Sequence, residues 1–525
     1  MRKRIVAAVM LLLLFAAQAV SVLAAPPTKS YTYNAEGLPV AAPNPYTFDV
    51  EIDGNSYGIG AFADPEDVVV DSEDNIYVLD SGNQRVVIFN SDKELIRVLS
   101  TITYKGEPLT LKGPQGLFIY EHFDQKLLYV SDTENSRIFR VDLKNELNGE
   151  VEVDAPIEVD RMYGKPTIDI IKKDTPYYPT KFIVDRAERI FVLGRTINRG
   201  IIKLASDGSF DSFFGAPDVS YSLAEKIWRM LSTEAQLEQG LKFVPTEYSN
   251  IALDSRGFVY ATISNIERQK LFATFDSKPD DVDARSDAAV IKKLAADGTD
   301  ILARTGIAPP VGDLSVYNTQ ATEAVLAGVS AFVDVCVNDF DVYTIIDDQR
   351  CKVFTYDSEG NLLFIFGGSG TQYGTFQKPV AVSYYKGDQI CVLDKRSSSL
   401  SFFKPTDYGT SILAAVKAYN DGEYELSEEM WVRVLEMNSN MTQAYSGVGK
   451  SMLRAGEYKL AMENFKIAKN QEFYSKALEQ YLSEMIGDKF TYIFLILVGL
   501  FLLAKIWKVI KRFRRFLREG VKKVV

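Results

Sequence analysis

The chain has 525 residues, 46% apolar and 12% aromatic, with a formal net charge of −11, one histidine and three cysteines. That apolar content excludes a disordered chain and allows two or three domains. A single histidine excludes His-rich zinc sites, and an odd, small number of cysteines implies no disulfide framework. The first predicted element is a leader. Residues 2–4 carry three basic charges, 5–20 form an apolar run, and Val22 and Ala24 are the small residues that signal peptidase reads. Cleavage after Ala24 is the expectation, with an uncleaved anchor as the alternative.

From Asp64 to Pro405 one block recurs six times: an apolar strand, a polar turn, an aromatic-led strand, a second polar turn and a third strand. The first copy reads VVVDSEDNIYVLDSGNQRVVIF over 68–89, and the second LFIYEHFDQKLLYVSDTENSRIFRV over 117–141. Both alternate at period two between turns rich in Asp, Asn, Ser and Gly. The register holds through Tyr77, Tyr129, Phe191, Tyr260, Tyr343 and Ile390, separated by 52, 62, 69, 83 and 47 residues. These spacings start near the propeller period of about 40 to 50 residues and lengthen where segments are inserted. One unit cannot bury both faces of its small sheet, so the fold class predicted is mainly β, a six-bladed propeller over 25–405.

Pro65, Val68–Val70, Asp71 and NIYVLDSGNQRVVIF resemble the NHL repeat, and copies two, five and six keep most of that pattern. The stretch YTYNAEGLPVAAPNPYTFDVEI from Tyr31 resembles the lead-in of bacterial, membrane-bound extracytoplasmic NHL proteins. This resemblance implies that an N-terminal strand closes the ring against the last blade.

Two residues after the repeat's Pro slot, where the innermost strand faces the channel, stand Asp67, Gly116, Lys181, Asn250, Asp334 and Ala381. Glu66, Gln115, Thr180 and Ser249 precede four of them. Glu66, Asp67, Gln115, Lys181, Asn250 and Asp334 are therefore the candidate binding residues of the channel mouth. A lactonase-type propeller needs converging oxygens on a hard cation, and Asp67, Asn250 and Asp334 could supply three. Lys181 in the same ring repels a cation, so polar capping of strand starts is preferred and no metal or cofactor is assigned. Asp80, Asn83 and Arg85 recur as Asp132, Asn135 and Arg137, a pattern suited to holding turns and tying neighbouring blades. Capping boxes at Ser222/Glu225 and Thr233/Gln236 predict a helical insertion over 222–243, a lid, an interaction knob or filler. The charged run at 266–289 reads as a solvated loop. His122 sits in the polar turn EHFDQK, and GxSxG, HExxH and a phosphate-binding Gly loop are absent, so no catalytic residue is assigned. Cys336, Cys351 and Cys391 fall in strands and read as small buried hydrophobes.

After Pro405 the period changes from strand to helix, from about Ser411. Gly422 and Gly456, Tyr424 and Tyr458, Ser427 and Ala461, Trp431 and Phe465, and Val434 and Ala468 are each 34 residues apart. That is the tetratricopeptide period with its small and aromatic positions, and a domain over 411–486 is expected. Its groove would be lined by Tyr424, Trp431, Tyr458 and Phe465; a spacer lifting the propeller off the bilayer is the other reading. Residues 490–507 form an apolar span just long enough to cross a membrane. The tail 508–525 is basic, with Lys508, Lys511, Arg512, Arg514, Arg515 and Arg518, and the positive-inside rule places it in the cytoplasm. It suits either a helix on anionic lipid or simple stop-transfer charge. The segment from 505 carries +8 and the leader +3, so residues 25–504 carry −22 of the net −11. An acidic ectodomain excludes nucleic-acid binding through its net field.

These features predict a non-enzymatic extracytoplasmic binding or scaffold protein, single-pass in the cell membrane. Its propeller would present a surface to a protein or carbohydrate partner, and the resemblance to membrane-bound NHL proteins implies association with envelope transport or carbohydrate handling. A metal-dependent lactonase or esterase is the alternative.

Overall fold

The computed structural model describes residues 28–522 except 35, 148–150, 168–174, 198–199, 216–247, 266–288, 305–307 and 315–328. The leader, the 222–243 insertion and all but the last residue of the 266–289 run lie outside the described residues.

Six small antiparallel sheets follow one another along the chain. Blade one is Pro65–Val70, Ile76–Asp80, Arg85–Phe89 and Leu95–Leu99; blade two is Gly116–His122, Gln125–Asp132, Arg137–Asp142 and Ile157–Tyr163. Blade three is Pro179–Val184, Ile190–Gly194, Ile201–Leu204 and Phe210–Phe214, and blade four has Asn250–Leu253, Val259–Thr262 and Ile291–Leu294 among its described residues. Blade five is Phe332–Val337, Tyr343–Asp347, Lys352–Tyr356 and Leu362–Gly367. Blade six takes Pro379–Tyr385, Gln389–Asp394 and Ser399–Pro405 and completes itself with the N-terminal strand Tyr46–Ile52, paired antiparallel to Ser399–Pro405. The innermost strands touch in chain order, and that of blade six meets that of blade one. The ring is closed.

The repeat's residues form these hairpins for local reasons. Asp71 accepts from the backbone N–H of Glu73 and Asn75 at 2.9 and 2.8 Å, and Asp185, Asp254 and Asn338 do the same in blades three, four and five. Each such Asx turn fixes the reversal between first and second strands. The second strand then carries its aromatic inward: Tyr77, Tyr129, Phe191, Tyr260 and Tyr343 are all buried between blades. Burying a side chain of this size stabilises by roughly 1.5–3 kcal/mol. Blade two has an addition that the repeat pattern does not show, a hairpin of Ile102–Tyr104 and Glu107–Leu109 joined in parallel to Ile157–Tyr163.

Five helices follow: α1 (Asp407–Asp421), α2 (Tyr424–Met437), α3 (Thr442–Ala455), α4 (Tyr458–Ile467) and α5 (Gln471–Lys522). Helix α1 starts at Asp407, directly after the last strand, because Thr406 caps it by accepting from Gly409 N–H at 3.3 Å. Gly422 and Gly456 end α1 and α3 in the left-handed conformation, φ 83° and 86°. The helices do not stand apart from the propeller. Tyr46, Phe366 and Phe403 of blades five and six share one buried core with Tyr408, Ile412, Trp431 and Val448 of the helices. Lys450 of α3 also pairs with Glu359 of blade five. Helix α5 runs unbroken for 52 residues, and its segment Phe490–Leu517 is long and apolar enough to cross a membrane.

Candidate functional site: the channel mouth and axial ring

The ring predicted at the start of the innermost strands assembles four polar side chains. Lys181 Nζ lies 2.9 Å from Asp67 Oδ1 and donates to the Glu66 carbonyl at 2.9 Å. Asp67 Oδ2 reaches across to blade two and accepts from Leu117 N–H at 2.8 Å. Asp334 accepts from Val335 N–H at 2.8 Å, from Val382 N–H of blade six at 2.6 Å, and from the Asn250 amide. Asn250 Oδ1 in turn accepts from Ile251 N–H at 2.7 Å. The two carboxylates thus staple blade one to two and blade five to six. The remaining positions carry no polar side chain; at Gly116 an added Cβ would fall 2.5 Å from the Thr180 carbonyl, so only glycine lets blade three approach there. Burial raises the Asp67 pKa despite Lys181, and burial together with the neighbouring Asp67 charge pushes Asp334 up to about 7.

Above the ring opens a cavity of about 550 Å³ lined by Glu66, Gln115, Thr180, Lys181, Tyr248 and Ser249, with Arg195 on its wall. Arg195 Nη2 donates to Gln115 Oε1 at 2.8 Å, and Lys395 Nζ holds Glu66 at 2.6 Å. Glu66, Gln115 and Lys181 therefore face the mouth. Asp67, Asn250 and Asp334 are buried and do not line it.

The cavity lies over blades three and four for a reason visible in the repeat. In blades one, two, five and six the second strand ends in Asp80, Asp132, Asp347 and Asp394. Each accepts a backbone N–H from the segment entering its own blade, from Ala63 at 2.7 Å, Lys112 at 2.7 Å, Ala331 at 3.1 Å and Gln377 at 2.6 Å. Asn83 and Arg85 complete this anchor around Asp80 at 2.8 and 2.7 Å, and Asn135 and Arg137 around Asp132 at 2.8 and 2.7 Å. The corresponding positions in blades three and four hold Gly194 and Ile263. Arg195, Tyr248 and Lys395 were missed by sequence reasoning, although the loss of the Asp at 194 was a readable signal for the first.

Two candidate groove residues are corrected. Trp431 and Phe465 are fully packed under α3, where a Cβ on Gly447 or Gly449 would meet their rings at 2.4 or 2.8 Å, so neither can line a groove. Tyr424 and Tyr458 open α2 and α4 and are half-buried. Lys508, Lys511, Arg512, Arg514 and Arg515 are exposed along α5, and Arg518 lies in the same helix. His122 sits at the outer end of Gly116–His122 against Phe123, away from the channel. Cys336, Cys351 and Cys391 are free thiols. Among the described residues, no three His, Cys, Asp or Glu side chains gather as a metal-ligand set.

The fold and ring define a six-bladed β-propeller, and a family model for the NHL repeat matches residues 62–89, the first blade. No curated protein matches the chain. Similar solved structures include virginiamycin B lyase from Staphylococcus aureus, at 12% identity and TM-score 0.33, covering 66% of this chain and 81% of that one. A luciferin-regenerating enzyme is similar at 8% identity and TM-score 0.34, covering 67% and 93%. A calcium-binding regucalcin from Agrobacterium tumefaciens is similar at 9% and 0.35, covering 69% and 95%. Enzymes stand among these propellers, so the expectation that this chain is not an enzyme is withdrawn. At such identities the likeness concerns fold and assigns no reaction.

Proposed function

We propose that this protein is a membrane-anchored, extracytoplasmic propeller that binds a polar ligand of the carbohydrate class in its channel mouth. The observation that carries the reading is the 550 Å³ cavity, whose wall combines Gln115, Thr180 and Ser249 with the charged groups of Arg195, Lys181 and Glu66. Side chains of this kind, held in place by one another, match the dense hydroxyl groups of a sugar. Helix α5 supplies the span, and its basic end argues for a cytoplasmic tail. The helical pairs, read as tetratricopeptide-like, hold the propeller within a membrane complex.

The test uses the full chain in lipid nanodiscs, titrated with a panel of oligosaccharides. Saturable binding that falls about tenfold in Arg195→Ala and in Gln115→Ala supports the reading, since each variant removes one of two wall side chains that hold each other in place. Absence of saccharide binding, or affinity unchanged in both variants, overturns it.

A further inference from the structure

The axis holds a second cavity on the other side of the ring. Its volume of about 220 Å³ has room for roughly seven waters or one compact organic molecule. The walls come from the innermost strands and mix polar backbone with apolar side chains, Val69, Val70, Phe118, Ile119, Ala252 and Val337 being half-buried along it. Its inner end is the ring itself, Asp67, Lys181, Asn250 and Asp334.

Two carboxyl groups face one ammonium at that end, and Lys181 spends its contacts on Asp67 and the Glu66 carbonyl. Asp334 receives only neutral donors, the Asn250 amide and the N–H groups of Val335 and Val382. The other titratable groups against it are Cys336 and Cys391, whose burial raises both thiols and keeps them neutral. Asp334 is thus a buried carboxyl at the inner end of the chamber, hydrogen-bonded by neutral donors alone with Lys181 as its cationic neighbour in the ring, and its anion is costly there. A bound organic cation would stabilise the ionised form. A divalent metal would find the Asn250 carbonyl oxygen already accepting from Ile251 N–H, and Asp67 already paired with Lys181.

We propose that this axial chamber binds a small amphiphilic monoammonium compound, with its apolar part against the strand walls and its N–H groups donating to Asp334. This site is separate from the mouth cavity and does not depend on what the mouth binds.

The experiment titrates the full chain in nanodiscs with n-butylammonium, 1-butanol and Ca²⁺ by calorimetry, against empty nanodiscs. Saturable n-butylammonium binding is expected, weakened about tenfold or more in Asp334→Asn, because a charge-assisted hydrogen bond is replaced by a neutral one. Ser383→Leu, which fills the chamber wall without touching the ring, should weaken it comparably and decides the matter if Asp334→Asn fails to fold. No saturable n-butylammonium binding overturns the proposal. Equal binding of 1-butanol, stoichiometric Ca²⁺ competing for the same site, or affinity unchanged in the variants also overturns it.

Discussion

Asp334 is as deeply buried as Asp67 and Asn250 in the ring. Its carboxyl holds a proton more readily in the folded protein, where its pKa is about 7, than in the unfolded chain, where an Asp titrates near about 3.9. Folding then takes up a proton between those values, so this group's contribution to stability increases as pH falls through that window and is lost as pH rises through about 7. The melting temperature of Asp334→Asn should accordingly depend less on pH between about 4 and 7 than that of the parent chain; an identical slope would refute the assignment. A second contrast separates built ion pairs from ornamental ones. Asp80 is fully buried and holds Arg85, Asn83 and Ala63 N–H, so Asp80→Ala should destabilise by about 3 kcal/mol or more. Glu134 and Lys112 are mostly exposed at 3.4 Å, and Glu134→Ala should change stability by less than about 1 kcal/mol. Paired thermal melts check both.

At the scale of the element, the helical repeats and the strands were legible to different depths. The blades could be read because period-two alternation recurs in each copy, with an Asx turn in four of them and an inward aromatic in five, and each of these is a local cause. The 34-residue recurrence likewise located α2 and α4, since Gly422 and Gly456 are stop signals that act on their own helix. Trp431 and Phe465 were misplaced because a helical face does not say what covers it, and here α3 does, through Gly447 and Gly449. The hairpin at 102–109 was unread because its pairing with Ile157–Tyr163 spans some fifty residues of sequence and leaves no period. Gly422→Ala forces a Cβ into the left-handed region at φ 83° with open space around it, so only backbone strain is charged, about 1 kcal/mol. Gly447→Ala meets the Trp431 ring at 2.4 Å and should cost more, about 1–3 kcal/mol. The order of the two melting temperatures tests that packing.

The whole molecule is held by contacts between residues far apart in sequence, and this is where sequence reasoning was thinnest. Six blades and a closing N-terminal strand were foreseen from the repeat count and the lead-in. The use of the lead-in's tyrosines was not. Tyr31 and Tyr33 donate to the two oxygens of Asp313 at 3.0 and 2.8 Å, and Lys352 reaches Tyr31 at 2.7 Å. Likewise the ring's composition could be read while its division of labour could not, because which carboxylate Lys181 chooses depends on the rotation between blades. Since Tyr46–Ile52 is the outer strand of blade six and Tyr46 packs in the core shared with the helices, removing residues 46–52 should unfold propeller and helices together. Circular dichroism showing intact helices on a disrupted propeller would contradict that single core.

Helix α5 packs its first turns against α4 through Phe473, Tyr474 and Ala477 and enters its apolar segment at Phe490 without a break. At 1.5 Å per residue the stretch from Ala477 to Phe490 is about 20 Å long, a stiff mast in place of a flexible tether. With that segment placed in a bilayer, as proposed above, a propeller mounted this way would keep one height and one heading relative to it. Its openings would then serve only partners that come to that height, and a turn of the mast would swing both openings through the same angle.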